Sequence, residues 1–113
     1  MLTREGNEQA LRAFLAGAMS LHLYATSAGD VYIEASGGGY APIQLHPNAW
    51  VIDGLSATYP EQVFTMTGPL GDVYGYYVTR DEAVIYGQPF ADGPYPVQAD
   101  DQIAVSVVLM QEV

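Results

Sequence analysis

Trp50-Val51-Ile52-Asp53-Gly54-Leu55-Ser56-Ala57 reads as a β-hairpin, and most of the chain repeats its two-residue rhythm. Asp53-Gly54 has the composition of a two-residue type I′ turn. Both central residues of that turn need positive φ, which Asp tolerates and Gly adopts freely. Such a turn pairs Ile52 with Leu55 and Trp50 with Ala57. All four then share one face, and Val51 and Ser56 face the other way.

Working outward, short Val/Ile/Tyr/Thr runs recur between Gly, Pro, Asn and Asp. Upstream, Leu21, Leu23 and Ala25 alternate with His22, Tyr24 and Thr26 as far as a turn at Ala28-Gly29-Asp30. Val31 to Glu34 is a short strand or loop edge, Ser36-Gly37-Gly38-Gly39 a flexible connection, and Tyr40 to Leu45 a further strand. Downstream come runs at 62–67, 73–79, 83–90, 95–98 and 102–111, separated by turns at Gly68-Pro69-Leu70-Gly71, Arg80-Asp81-Glu82 and Ala91-Asp92-Gly93-Pro94. About eight strands at this spacing predict an all-β, jelly-roll-like β-sandwich.

The first 18 residues follow another period. Asn7 is the expected helix cap, with Glu8 favourable at the positive end of the dipole. Leu11, Phe14, Leu15 and Ala18 then follow at helical spacing, and Gly17 is a natural stop. A helix this short does not persist in water unless it packs on something. It either folds over its own sandwich or lies as an arm on a neighbour, and the sequence leaves both open. The expected organisation is an N-terminal helical arm, 1–18, and a β-sandwich domain, 19–113.

The net charge is −10, there is no lysine, and Arg80 is the one strong cation beyond the helical segment. Phosphate recognition needs clustered Lys and Arg, so nucleic acid is not an expected partner. The same charge speeds encounter with a basic surface. No cysteine is present, so packing or assembly must supply stability. No run is long enough for a membrane span. Ala16-Gly17-Ala18 looks like a signal-peptidase site, but Glu5, Glu8 and Arg12 spoil the segment before it. A cytosolically made protein with an uncleaved start is the expectation.

The catalytic inventory is thin, with no Gly-x-Ser-x-Gly, no cysteine nucleophile and no lysine for phosphate or imine chemistry. His22 and His46 lack partners at metal-ligand spacing. Asp81-Glu82, Asp92 and Asp100-Asp101 stand where turn formers stand. No catalytic, cofactor or metal residue is expected, and the chain reads as a non-enzyme. The aromatics carry more. Tyr74 and Tyr76 share a face with Val78, Tyr77 shares the other with Val73, and Tyr86 falls on a neighbouring strand. Tyrosine serves cores, protein interfaces and sugar-stacking platforms alike. In the terminal run Ile103, Val105, Val107 and Leu109 alternate, while Ala104, Val108 and Met110 make the second face apolar too. A strand of that kind is central or is covered by another chain.

Several segments resemble small virion proteins of tailed bacteriophages. They are Ala10-Leu11-x-Ala13-Phe14-Leu15-x-Gly17, Leu21-His22-Leu23-Tyr24-Ala25-Thr26, Gly37-Gly38-Gly39-Tyr40-Ala41, Trp50, Ala57-Thr58-Tyr59-Pro60, Phe64, Gly71-Asp72-Val73-Tyr74-Gly75-Tyr76, Gln88-Pro89-Phe90, Gly93-Pro94-Tyr95 and Asp101-Gln102-Ile103. The resemblance implies a capsid decoration (cement) protein of the virion that binds the major capsid protein or other virion proteins as a homo-oligomer, a trimer in the first instance. Contacts are expected from Leu11, Phe14, Leu15, Tyr74, Tyr76, Tyr77, Tyr86, Val108 and Met110. A tail or fibre-base component is the alternative within the particle. A carbohydrate-binding module using Tyr74, Tyr76 and Tyr86 is the alternative of another class.

Overall fold

The computed structural model describes residues 3–29 and 31–110, with Met110 described in its backbone alone. The chain is mostly β-strand in antiparallel sheets, with one short N-terminal helix. Helix α1 is Arg4–Phe14. It starts earlier than the expected Asn7 cap, because the Thr3 side chain accepts the Gly6 N–H at 3.1 Å and caps the helix first. Leu11 and Leu15 are buried, and the helix packs on strand β4 (Val51–Asp53). Leu11 and Leu15 therefore face their own domain, while Phe14 and Ala18 of the same stripe are exposed. The Arg80 guanidinium donates to the Phe14 carbonyl and lies 5.7 Å from the Phe14 ring centre. One orphan carbonyl at the helix end is thereby satisfied, with a cation–π contact beside it.

Strand β1 (Met19–Ala28) is the spine of a five-stranded sheet. On one edge it pairs with β3 (Ile43–Leu45) through Met19–Leu21 and with β2 (Val31–Glu34) from Tyr24 onward. Between these two strands the ladder has a gap at Leu23. The gap is filled chemically: Leu23 C=O accepts from Ala35 N–H, and Leu23 N–H donates to the Tyr40 hydroxyl, both at 2.9 Å. Tyr40, expected to begin a strand, is instead the plug of this gap. The expected Ala28-Gly29-Asp30 turn has Gly29 at φ 60, and Asp30 lies outside the described residues.

The other half of the molecule is one long, interrupted hairpin. Its outgoing arm holds β5 (Ser56–Thr58), β6 (Gln62–Thr65), β7 (Gly71–Val73) and β8 (Gly75–Arg80). Its returning arm holds β9 (Ala83–Pro89), β10 (Tyr95–Val97), β11 (Gln102–Val105) and β12 (Val108–Met110). The pairs are β8 with β9, β7 with β10, β6 with β11 and β5 with β12. Bonds from Tyr59 N to Val107 O, Met66 N to Asp101 O and Leu70 N to Val97 O bridge the breaks. Among the described residues twelve strands stand where about eight were expected, because irregular residues cut the two arms into short pieces. At Tyr74 the outgoing arm leaves the ribbon and joins the sheet, where β8 pairs with β1 on one side and β9 on the other.

The ribbon folds over the sheet and encloses the core. Leu21, Leu23 and Val78 come from the sheet, and Phe64, Met66, Ile103, Val105 and Leu109 from the ribbon. Each such side chain contributes roughly 1.5–3 kcal/mol on burial. Gln111, the expected end of the last strand, lies outside the described residues.

Two turn expectations need correction. Asp53 pairs with Ser56 and Ile52 with Ala57, so the turn residues are Gly54-Leu55, one step later than expected. Only Gly54 has positive φ, at 62°, the requirement of a turn that takes Gly first, as type II′ does. Trp50 meets Tyr59 edge-on at 5.0 Å rather than opposing Ala57. The double positive-φ turn falls instead at Asp81 and Glu82, φ 51° and 68°, at the tip of the long hairpin. The glycine run is not a free connection either. Thr67 and Gly68 N–H both donate to Gly38 O, and a Cβ on Gly38 would sit 2.2 Å from Gly68 O.

Candidate functional site

The residues expected to make contacts divide by burial. Leu11, Leu15, Tyr76 and Tyr77 are buried within this chain, which corrects their assignment as outward contacts. The reason is local: the helix stripe closes on the domain, and β8 is central, with both faces covered. Phe14, Tyr74 and Val108 are exposed, Tyr86 is half-buried, and the Met110 side chain lies outside the described residues. Tyr74, Tyr76 and Tyr86 form no common platform. Tyr76 lies in the core, tilted against Tyr86 and Phe90, and burial beside Tyr86 pushes its phenol up to about 12.

The sequence did not foretell the aromatic layer on the outer face of the five-stranded sheet. His22 on β1 stacks on Tyr77 of β8 at 4.6 Å, and Tyr32 of β2 stacks on Tyr77 at 5.1 Å. Tyr24 meets Tyr32 edge-on at 4.9 Å. Two strand glycines make room for the layer. A Cβ on Gly87 would lie 2.0 Å from the Tyr32 hydroxyl oxygen, and one on Gly75 would lie 2.7 Å from the Tyr24 ring. Glycine inside a strand marks such close approach, and these two were the available signal.

A polar network runs along the layer. Tyr40 donates to Glu34 Oε2 at 2.6 Å, and His22 Nδ1 is 2.6 Å from the same oxygen. A carboxylate can only accept, so Nδ1 carries the proton. Nε2 lies 2.9 Å from Thr79 Oγ1. Burial and then the bond to Glu34 push the Tyr40 phenol far above its usual range, while burial and the Glu34 charge raise Tyr77. Hydroxyl, imidazole and carboxylate stand here in the order of a hydrolytic triad. The adjoining groove, of about 500 Å³, is lined by Ser20, Gln44, Asp81 and Glu82 among others. Asp81 and Glu82 make that groove partly acidic, beside the donors of Ser20 and Gln44. The network ties β2, β1, β8 and Tyr40 together.

A second groove, of about 540 Å³, lies where β1 outruns β8. Its walls are Tyr24 to Ser27 on one side and Tyr74, Pro89, Phe90, Gly93 and Pro94 on the other. Phe90 and Tyr95 pack edge-to-face at 5.1 Å beside it. Among the described residues, no group of three or more His, Cys, Asp or Glu could hold a metal ion, and no helix is long and apolar enough to cross a membrane. Comparison with family models, curated proteins and solved structures found no match for this chain.

Proposed function

We propose that this chain is a structural docking protein of a tailed-phage particle, a head-decoration (cement) protein with a jelly-roll-like sandwich that acts as an oligomer, a trimer in the first instance. The observation that carries this reading is the apolar face of β2. Val31 and Ile33 alternate along it and remain 63% and 55% exposed, on a strand that ends the sheet. Single exposed apolar residues are ordinary, but neighbouring ones on an edge strand mark a contact surface or an aggregation hazard. The −10 charge keeps such a face soluble and favours a basic partner surface. The sequence resemblance supplies the particle. The sugar-binding alternative loses its platform, since Tyr76 lies inside.

The test is imaging of labelled protein on intact particles and on particles stripped of it, with light scattering of the purified protein over a wide concentration range. Regular decoration of heads by an oligomer is expected. A strict monomer that decorates neither preparation refutes the reading.

A further inference from the structure

We infer that the free edge of β1 beyond Tyr24 accepts an extended, basic segment of another protein as an added strand, an inference that deepens the docking reading above by naming the mode and the partner's chemistry. β8 stops before β1 does. Its pairing with β1 ends at Tyr24 opposite Gly75, and one further bond joins Tyr74 N–H to Tyr24 C=O. There the outgoing arm bends into β7 and pairs with β10 instead. β1 continues to Ala28, held by β2 on its other edge through Thr26, Ser27 and Ala28. Among the described residues, no strand pairs with Ala25–Ala28 on the β8 side.

The space beside that edge is the groove of about 540 Å³. Its far wall is unsuited to filling the gap from within, because Pro89 and Pro94 have no N–H to offer a ladder. That wall offers ring surface from Tyr74 and Phe90 instead. Main-chain groups on one side and apolar pockets on the other are what recognition by strand addition requires: the ladder supplies affinity, and alternate side chains supply specificity.

Charge selects the occupant. Asp72 and Asp92 are exposed on the segments flanking the groove. The chain has no lysine, and Arg80 is engaged with Phe14 at the helix end. A second copy would bring another −10 to this edge, whereas a strand carrying Lys or Arg at its solvent-facing positions is attracted to it.

The probe is a blocked heptapeptide of alternating Lys and Val, added to the full chain while backbone amide exchange is followed by NMR. Slowing of exchange within Ala25–Ala28 by about tenfold or more is expected, with Tyr74→Ala weakening the effect at an unchanged melting temperature. A version N-methylated along one edge must be inert; equal protection by it overturns strand addition. Protection that grows with protein concentration and no peptide shows that a second copy is the occupant and overturns the basic partner. No protection at millimolar peptide overturns the inference outright. Peptide pairing without decoration of heads removes the particle reading alone, and decoration without protection at Ala25–Ala28 removes this inference alone.

Discussion

Gly87→Ala tests whether the outer aromatic layer is built on the glycines beneath it. The new methyl would stand 2.0 Å from the Tyr32 hydroxyl oxygen and 2.3 Å from its ring carbon Cζ. Comfortable carbon contacts are about 3.5–4.0 Å, so the ring must move by well over 1 Å. Such overpacking costs about 1–3 kcal/mol, including loss of the Tyr32–Tyr77 stack at 5.1 Å. Replacing a strand glycine with alanine returns about 0.5–1 kcal/mol through the backbone. The balance is a loss of up to about 2.5 kcal/mol, with a mid-value of about 1 kcal/mol that corresponds to a fall in melting temperature of about 4 °C. In a Tyr32→Ala background the clash is gone and the backbone gain remains, so Gly87→Ala should become stabilising. Calorimetry on the four proteins of this cycle reads the reversal directly. An equal cost in both backgrounds refutes the reasoning, because it would mean that Tyr32 does not lie over Gly87.

Glu82→Gly should stabilise the protein by about 1 kcal/mol in urea titrations, since it relieves a non-glycine residue from φ 68° at the hairpin tip. Leu15→Ala should cost about 2–5 kcal/mol, and a chain beginning near Met19 should melt at least about 10 °C lower, because α1 closes the core rather than reaching outward. Stability should fall above pH 10: the unfolded phenols ionise at their usual pKa of 10.0, while Tyr76 holds its proton to about 12 and Tyr24, Tyr40 and Tyr77 are also raised. The folded state thus binds more protons in that window, and the stabilisation is lost as pH rises through it. Absorbance titration at 295 nm should show the late-ionising group, and circular dichroism the falling stability.

The sequence made legible whatever is local. Alternation in Leu21-His22-Leu23 marked the core strand, and the stripe of Leu11 and Leu15 marked the helix. The hairpin at Asp53-Gly54 was recognisable, but its register was not, because a single glycine serves either of two adjacent turns. The stack of His22, Tyr32 and Tyr77 escaped notice because it joins three strands whose adjacency only the fold creates. The groove escaped for a related reason. Nothing in Val73-Tyr74-Gly75 says that the chain changes partners there, and the unpaired edge of β1 follows from that departure. The expectation of about eight strands rested on counting runs, and interrupted arms make such counts misleading.

The long hairpin also governs how the molecule must assemble. Its tip, with Arg80 opposite Ala83, closes the smallest loop on either arm, while Ser56 must wait for Met110. Pairing is cheapest in loop entropy at Asp81-Glu82 and dearest at the far end. Order should therefore spread from the tip: β8 and β9 first, then β1 laid against β8, and the β5–β12 junction last. The helix cannot find its capping guanidinium until Arg80 is in place, so the first segment of the chain settles late. A topology this rich in distant pairings belongs to the slow class, folding on the order of milliseconds to seconds. Throughout that interval the apolar stretch Ile103–Leu109 stands without its partner arm, and the acidic charge that surrounds it is its protection from other copies.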